Sequence, residues 1–324
     1  MERTWCKPLP AADLLITGGR VVDPESGLDD LLDVLVGDGR IVQVGTGLEA
    51  GDDVRVVDAT GMLVLPGFVD LHAHFRTPGR EDEEDIATAS AAAAAGGYVA
   101  VLGMANTEPV VDSAHTLRGL ARQAQDEAVV PLGFYAAITR GLEGRQLTEM
   151  CELDEAGAAA FSDDGRPLPT AAIMRRALQY GKMSGRFMAL HAEDPSLTAG
   201  GQMHEGPASA RLGLAGIPSI SESLEVARAL GVAAYEDAGL HLCHVSTADS
   251  VQAIAHAKEA GLRVTTEATP HHLTLVDECV ASLDPNLKMS PPLRSESDRE
   301  ALVEALRSGL IDCVATDHAP HAPE

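Results

Sequence analysis

Histidine and aspartate side chains that could bind metal ions lie in several short segments, each at the end of a predicted β-strand. The candidates are His72, His74, Asp164, His191, His244 and Asp317. Residues i and i+2 of a strand point to the same face of a sheet, so His72 and His74 can bind one ion together. Imidazoles and carboxylates in this combination suit zinc, with manganese or cobalt as substitutes.

A single His-x-His pair has an ordinary explanation as well. Two histidines at the surface or in the core can be satisfied by hydrogen bonds alone. The recurrence of the pattern favours a metal site, because His191, His244 and Asp317 each follow an apolar run and precede a loop.

These segments need a scaffold that brings distant strand ends together. After Gly67 the sequence alternates between strand, loop and helix, which is typical of parallel strands joined by helical crossovers. The pattern predicts strands over residues 67–71, 98–103, 131–138, 158–161, 187–190, 240–243, 262–266 and 311–315, with helices between them, for example over 170–183, 221–236 and 297–306.

Eight strands in this order indicate an α/β fold, a (β/α)8 barrel of the TIM type. Active sites of such barrels lie at the C-terminal ends of the strands, where all six candidates are found. A doubly wound open sheet is the alternative, but the sequence lacks the Gly-rich turn between first strand and first helix that such a sheet uses to bind nucleotides.

The segment before the barrel reads as short β-rich runs separated by turn residues. The turns TGGR (17–20) and GDGR (37–40) predict tight hairpins. We therefore expect residues 1–64 to form the N-terminal part of a small β-sandwich domain and residues 65–324 to form the barrel. Because the sequence stops after the eighth predicted strand, we expect a barrel without its last helix, in a fragment of a longer protein.

Composition narrows the class of protein. Asp and Glu (49) outnumber Lys and Arg (24), and the formal net charge is -25. Binding to nucleic acid or to an anionic membrane needs clustered cations, so we expect neither partner. The five scattered cysteines fit reduced thiols, and the N-terminus shows no secretory signal, which together favour the cytoplasm.

Seven motifs together carry a family resemblance. They are HxHxRxPG (72–79), MANT (104–107), FSDDG (161–165), HAED (191–194), CHVST (243–247), SPPLR (290–294) and ATDHAPH (315–321). From about residue 13 to the end, the chain closely resembles the class I dihydroorotases of the amidohydrolase superfamily. The resemblance implies the reversible interconversion of N-carbamoyl-L-aspartate and L-dihydroorotate in pyrimidine synthesis.

The resemblance also implies a pair of zinc ions. It makes His72, His74 and Asp317 ligands of one ion, and His191 and His244 ligands of the other. Asp164 would be the carboxylate between them, although a turn role before Gly165 is an alternative. Many relatives use a carboxylated lysine as the bridge, but all four lysines of this chain lie outside the motifs.

The expected mechanism follows from this ligand set. Two divalent ions lower the pKa of a shared water to about 7 and polarise the carbonyl oxygen of the substrate. Asp317 would then accept the proton of the bridging hydroxide and deliver it to the departing ring nitrogen. The alternative is that Asp317 is a metal ligand only.

The substrate carries a carboxylate, and Arg76 has the planar fork that suits such a group. Its alternative role is an ion pair with Glu83 or Glu84. By resemblance the substrate contacts are His74, Arg76, Asn106, Ser290 and His321, with Ser290 standing where relatives usually have asparagine. We expect structural roles for His271 and His272, and ordinary polar roles for His115, His204, His241 and His256.

Two rival functions share these features. A hydantoinase or allantoinase would have the same fold and metals. A non-catalytic scaffold that binds aspartate transcarbamoylase would have lost ligands, whereas all of them are present here. A homodimer or association with aspartate transcarbamoylase is also compatible with the sequence.

Overall fold

The computed structural model describes residues 4–6 and 12–322 of the chain. Five strands form the N-terminal sheet: β1 (Leu14–Asp23), β2 (Leu28–Gly37), β3 (Arg40–Gly45), β4 (Arg55–Asp58) and β5 (Leu63–Val64). The strands β1, β2 and β3 pair antiparallel in sequence, while β4 and β5 both pair parallel with β1. The expected 1–64 unit includes residues 1–3 and 7–11, and the expected 65–324 unit includes residues 323–324, all of which lie outside the described residues. The division between the two units at residue 64 stays a prediction.

One of the two predicted hairpins is wrong. GDGR joins β2 to β3 as expected, but TGGR lies inside β1, where the register with β2 shifts between Ile16 and Gly19. Gly18 has a positive φ of 69°, and a Cβ atom on Gly19 would clash with Val64. The two glycines therefore permit a bulge and the close approach of a neighbouring strand.

Residues 65–322 contain nine short strands. They are β6 (Phe68–Ala73), β7 (Tyr98–Gly103), β8 (Leu132–Phe134), β9 (Met188–Leu190), β10 (Met203–His204), β11 (Gly216–Ile217), β12 (Leu240–Leu242), β13 (Val264–Ala268) and β14 (Cys313–Val314). Apart from β10 and β11, which pair with each other, they are the barrel strands and all their pairings are parallel.

The pairings of these strands run round a closed circuit. One sheet has the order β6-β7-β8 and another the order β9-β12-β13-β14. Phe161 bridges the two sheets, since it pairs with Ala136 after β8 and with Met188 of β9. Ala73 pairs with His318 beyond β14, which returns the circuit to β6. The predicted strand 158–161 therefore occupies the expected place between β8 and β9, but only Phe161 of that segment pairs with its neighbours.

Helices cover the spaces between the strands. Their bounds are α1 (Ile86–Ala95), α2 (Ala114–Glu127), α3 (Met150–Glu155), α4 (Ala171–Ser184), α5 (Pro195–Thr198), α6 (Pro207–Leu212), α7 (Ile220–Glu236), α8 (Ala248–Glu259), α9 (Pro270–Thr274) and α10 (Glu296–Arg307). Side chains of Ser113, Thr170, Thr247 and Ser295 accept from backbone N–H groups at the starts of α2, α4, α8 and α10. Such caps satisfy donors that a helix start leaves free.

The barrel core is built from aliphatic side chains and alanine. Leu132, Ile138, Ala160 and Leu242 are fully buried within it. Only 3% of the residues are aromatic, so close packing depends on small side chains that let the strands and helices approach. Within the part of the chain that the structure describes, no helix is long and apolar enough to cross a membrane.

A buried carboxylate fastens the seam between β6 and the segment after β14. Asp70 accepts hydrogen bonds from the backbone N–H and the hydroxyl of Thr316, and from the backbone N–H of His72 at 3.2 Å. The backbone N–H of Asp317 donates to the carbonyl of His72 at 3.0 Å. These bonds fix the first and last barrel strands side by side, and so place Asp317 next to the His-x-His pair.

Candidate metal centre

The fold brings all six predicted ligands to one place. Each lies at or just after the C-terminal end of a barrel strand: His72 and His74 at β6, Asp164 after the Phe161 bridge, His191 after β9, His244 after β12 and Asp317 after β14. Five of the six are buried, and the side chain of Asp317 is 13% exposed. Their roles as ligands stay a prediction, which the geometry below supports.

One group consists of His72, His74 and Asp317. Oδ1 of Asp317 lies 3.1 Å from Nε2 of His74 and 3.4 Å from Nε2 of His72. The two histidine rings are 5.3 Å apart at their centroids. Because β6 alternates its side chains, the two rings face the same side, and one ion could contact all three residues.

Asp164 lies between this group and the remaining histidines. Its Oδ1 is 3.5 Å from Nε2 of His72, 3.4 Å from Nε2 of His244 and 3.7 Å from Nδ1 of His191. Its Oδ2 is 3.5 Å from Nε2 of His74. A single carboxylate thus faces four imidazoles, two on each side, which is the arrangement that a bridging ligand requires.

Two buried atoms in the middle of the site have no hydrogen-bond partner among the described residues. They are Nε2 of His72 and Oδ1 of Asp164, 3.5 Å apart. A buried polar atom without a partner costs about 1–3 kcal/mol, so such atoms are rare in stable proteins. Divalent metal ions held by imidazole and carboxylate ligands would satisfy both atoms, and the residues present therefore fit the metals that the sequence predicts.

The electrostatics of the site agree with this fit. Burial opposes charge on Asp164, but His72 and the neighbouring imidazoles hold its pKa well below the usual range. Burial likewise opposes charge on Asp317, yet a hydrogen bond from His74 and the charge of His72 lower its pKa to about 2. Burial lowers the pKa of His191, but Asp164 and Glu193 outweigh it and raise the pKa to about 9. The carboxylates are thus ionised at neutral pH and attract positive charge.

Two residues orient the His-x-His pair from behind. Nδ1 of His74 is 2.9 Å from Oδ1 of Asn106, and Nδ1 of His72 is 2.7 Å from Oε1 of Glu267. In both histidines the contact is made by Nδ1, whereas Nε2 is the ring nitrogen that lies near Asp164 and Asp317. Sequence reasoning missed Glu267, whose only signal is a carboxylate inside the otherwise apolar and threonine-rich strand VTTEA.

The backbone is strained at three positions around the site. Arg76, His244 and Asp317 have positive φ values of 59°, 31° and 50°. L-residues adopt this region at a cost of about 1–3 kcal/mol and do so mainly where function requires it. Each of the three residues lies within three positions after the last residue of a barrel strand, where the left-handed backbone ends the extended conformation.

The predicted substrate contacts surround the same site. Nε of Arg76 donates to the carbonyl of Pro320 at 2.9 Å and lies 3.2 Å from Oε2 of Glu83, so the ion pair considered as an alternative is present. His321 is exposed, with Nε2 3.5 Å from a terminal nitrogen of Arg76. Ser290 donates from its hydroxyl to Oε2 of Glu193 at 3.3 Å. A cleft of about 270 Å³ opens beside Asp164 and is lined by Asn106, Thr107, Val110, Gly141, Leu142, Gly165 and Arg166.

His272, for which a structural role is expected, and Asp163 both contact the loops around the site. Nε2 of His272 donates to the carbonyl of Pro291 at 3.0 Å, and its Nδ1 accepts from the hydroxyl of Thr269 at 2.7 Å. Asp163 accepts two backbone N–H bonds, from Ile138 and Thr139. Asp163 therefore anchors the loop that follows β8.

The comparisons with known proteins identify the family. A family model described as Dihydro-orotase-like matches residues 61–250. The dihydroorotase of Citrifermentans bemidjiense is 47% identical over 312 residues, which are 96% of this chain and 74% of that protein. The dihydroorotase of Pelotomaculum thermopropionicum is 48% identical over 313 residues, with 96% and 72% covered.

The solved structures that resemble the chain are related hydrolases. The L-hydantoinase (dihydropyrimidinase) from Arthrobacter aurescens superposes with a TM-score of 0.83 at 25% identity, over 96% of this chain and 70% of that one. The dihydropyrimidinase from Brevibacillus agri gives a TM-score of 0.79 at 26% identity, with the same coverage. This likeness confirms the predicted α/β barrel fold with its small N-terminal β region.

Proposed function

The chain belongs to the dihydroorotase family, and from that premise we propose that it catalyses the reversible cyclisation of N-carbamoyl-L-aspartate to L-dihydroorotate in pyrimidine synthesis. The observation that carries the proposal is the convergence of six ligand side chains around two unpartnered buried atoms. Such a set is what amide hydrolysis at neutral pH needs, because an unstrained amide reacts only with an activated water and a stabilised oxyanion.

We propose zinc as the metal, held by His72, His74 and Asp317 on one side and by His191 and His244 on the other, with Asp164 between them. When bound, zinc lowers the pKa of a coordinated water towards 7 and polarises the amide carbonyl. The described ligand atoms are imidazole nitrogens and carboxylate oxygens, which zinc accepts readily.

We assign the proton transfers to Asp317. Its pKa of about 2 means that the carboxylate is ionised at neutral pH, which is the protonation state that a proton acceptor needs. Its position at the strand end, 3.1 Å from Nε2 of His74, puts it at the edge of the ligand cluster and next to the open side of the site. The accepted proton would then go to the ring nitrogen that departs.

We assign the substrate carboxylate to Arg76, together with Asn106, His74, Ser290 and His321. The hydrogen bond from Arg76 to the carbonyl of Pro320 and the contact with Glu83 hold the guanidinium beside the segment that carries Asp317. A guanidinium held in this way loses little entropy when it binds a carboxylate. Ser290 has a shorter side chain than asparagine and already donates to Glu193.

A hydantoinase is the second candidate, because solved structures that resemble the chain in fold carry that name. The test compares turnover of dihydroorotate, hydantoin and dihydrouracil by the same zinc-loaded preparation. We expect dihydroorotate to be hydrolysed with a kcat/KM at least 100-fold above the other two. Faster turnover of hydantoin or dihydrouracil would reject the proposed function.

The proposal also covers the oligomeric state of the protein and its location in the cell. We propose a cytoplasmic enzyme, in keeping with its five free thiols, that acts either as a homodimer or in association with aspartate transcarbamoylase. Sedimentation of the purified protein alone, and then mixed with aspartate transcarbamoylase, distinguishes the two. A monomer in both experiments would reject both assemblies.

A further inference from the structure

Glu267 is a fully buried carboxylate whose hydrogen bonds all lead to the metal centre or to His241. It lies in β13, and its exposed fraction is 0%. Oε1 accepts from Nδ1 of His72 at 2.7 Å and from the backbone N–H of His244 at 3.2 Å. Oε2 accepts from Nε2 of His241 at 3.0 Å. An ionised carboxylate buried this deeply is stable only when such donors surround it.

The contact with Glu267 determines which nitrogen of His72 faces the metals. A carboxylate accepts only, so Nδ1 of His72 must carry the proton that it donates. A histidine that binds a metal ion is neutral, so in the zinc-loaded protein Nε2 would keep the lone pair for the ion. This Nε2 is the buried atom without a partner, and it lies 3.5 Å from Asp164 and 3.4 Å from Asp317. Glu267 therefore sets both the tautomer and the direction of the ring.

His241 fixes the other oxygen of Glu267 in the same way. Because Nε2 of His241 donates to Glu267, its Nδ1 is free to accept from the hydroxyl of Thr265 at 2.9 Å. The ring is 3% exposed and packs against the edge of Phe187, with centroids 6.0 Å apart. Each donor in this chain of contacts has one available acceptor, so Glu267 has little freedom to rotate.

We propose that Glu267 and His241 are positioning residues of the metal centre, which hold His72 as an Nδ1-protonated ligand and thereby raise the affinity for zinc. Partners of this kind behind a metal-bound histidine usually contribute 10–100-fold in affinity or activity. The inference rests on the proposed metal-dependent function. It also revises the role expected for His241, which sequence reasoning treated as an ordinary polar residue.

The test measures zinc affinity of the metal-free protein by competition with a chromophoric chelator. Glu267→Gln keeps the size of the side chain and removes its charge, and we expect about 10–100-fold weaker zinc binding. Glu225→Gln is the matched control, since Glu225 is a buried glutamate that pairs with Arg228 and contacts none of the six ligands. We expect its affinity to equal that of the unmodified protein.

Two variants of His241 distinguish a role in positioning Glu267 and His72 from a role in the stability of the fold alone. His241→Gln retains an amide donor for Glu267, whereas His241→Leu retains none. We expect zinc affinity to fall with leucine and to be largely restored with glutamine, and the visible spectrum of the cobalt-substituted protein to change only with leucine. These variants also decide the matter if Glu267→Gln fails to fold.

Unchanged zinc affinity and an unchanged cobalt spectrum in folded Glu267→Gln and His241→Leu proteins would overturn the inference. The readouts do not depend on turnover. If the unmodified protein binds zinc but does not hydrolyse dihydroorotate, the proposed function fails while the positioning role can still be measured.

Discussion

At the scale of single residues, the site contains several buried charged groups close to one another. Asp164, Asp317 and Glu267 are ionised in a buried region, and burial alone would raise the pKa of each. Neighbouring histidines reverse that effect in all three cases. The charges of the site are therefore paired. If one partner is removed, the other becomes an uncompensated buried charge, which destabilises the protein.

Asp317→Asn should separate the acid–base role of this residue from its role as a ligand. Asparagine keeps an oxygen that can contact a metal but cannot accept a proton, so we expect kcat for dihydroorotate to fall about 100- to 10,000-fold at full zinc loading. Zinc content by elemental analysis and steady-state kinetics are the measurements.

The control for this experiment is Asp312→Asn. Asp312 lies just before β14 and accepts from Lys258 and from the backbone of Thr266, away from the ligands. We expect kcat within about twofold of normal for that variant, since it leaves the site intact. If saturating zinc restores the Asp317→Asn protein to normal turnover, Asp317 is a ligand only.

The six candidate ligands, which the structure brings together, could be picked out from the sequence because each is recognisable from its own neighbourhood. His191 and His244 each follow a short apolar strand, and barrel geometry then brings the strand ends together. Glu267 could not be recognised in this way. Its partner His72 is 195 positions away in sequence, and only the pairing of strands round the barrel makes them neighbours.

At the scale of elements, the order of strands could be predicted more reliably than their lengths. Most barrel strands are shorter than the apolar runs that encode them, as with β8, where Leu132–Phe134 replaces the predicted 131–138. The residues after Phe134 stay buried but leave the strand to form the loop that Asp163 anchors. Apolar periodicity reports burial, and burial continues past the end of strand pairing.

The short helix α9 is held to the loop of Pro291 by His272, and this contact should make stability depend on pH. Burial, helped by the nearby His271, lowers the pKa of His272 to about 3 from an unfolded value of 6.5. A histidine with a depressed pKa contributes its stability above pH 6.5, and that contribution is lost as pH falls towards 3. Each pH unit in this window is worth about 1.4 kcal/mol.

His272→Gln removes the group that titrates while it keeps an amide donor for Pro291. We expect this variant to be less stable than the unmodified protein at pH 7, and the difference in free energy of unfolding to narrow by about 2 kcal/mol at pH 5. Denaturant unfolding of the metal-free proteins at both pH values is the measurement. Gln252→Asn, at an exposed position of α8 with no titratable group in either protein, is the control and should show a difference that does not vary with pH. A constant difference for His272→Gln would refute the assigned pKa.

At the scale of the whole molecule, the metal centre is where separate parts of the chain meet. The six candidate ligands come from five places round the barrel, and two of these, β6 and the end of β14, close the circuit of strands. Asp70, the backbone bonds of His72 and His74, and the hydrogen bond from Arg76 to Pro320 join that seam, whereas side chains from all five places meet at the candidate metal centre. The ions should therefore act as cross-links between strands that are far apart in sequence.

Removal of the metals should consequently destabilise the entire fold. A ligand that binds only the folded state adds about 2.7 kcal/mol when present at 100 times its dissociation constant, and for a protein of this size that corresponds to a Tm lower by about 5 °C after chelation. Scanning calorimetry with and without chelator measures the change, and the chelator already saturated with zinc is the first control.

Asp164→Asn is the second control, because the loss of the proposed bridging carboxylate should reduce the effect of the chelator while the barrel remains folded. An equal Tm for the chelated and zinc-loaded proteins would show that the strand ends hold together without the ions, and the six side chains would then need another explanation for their convergence.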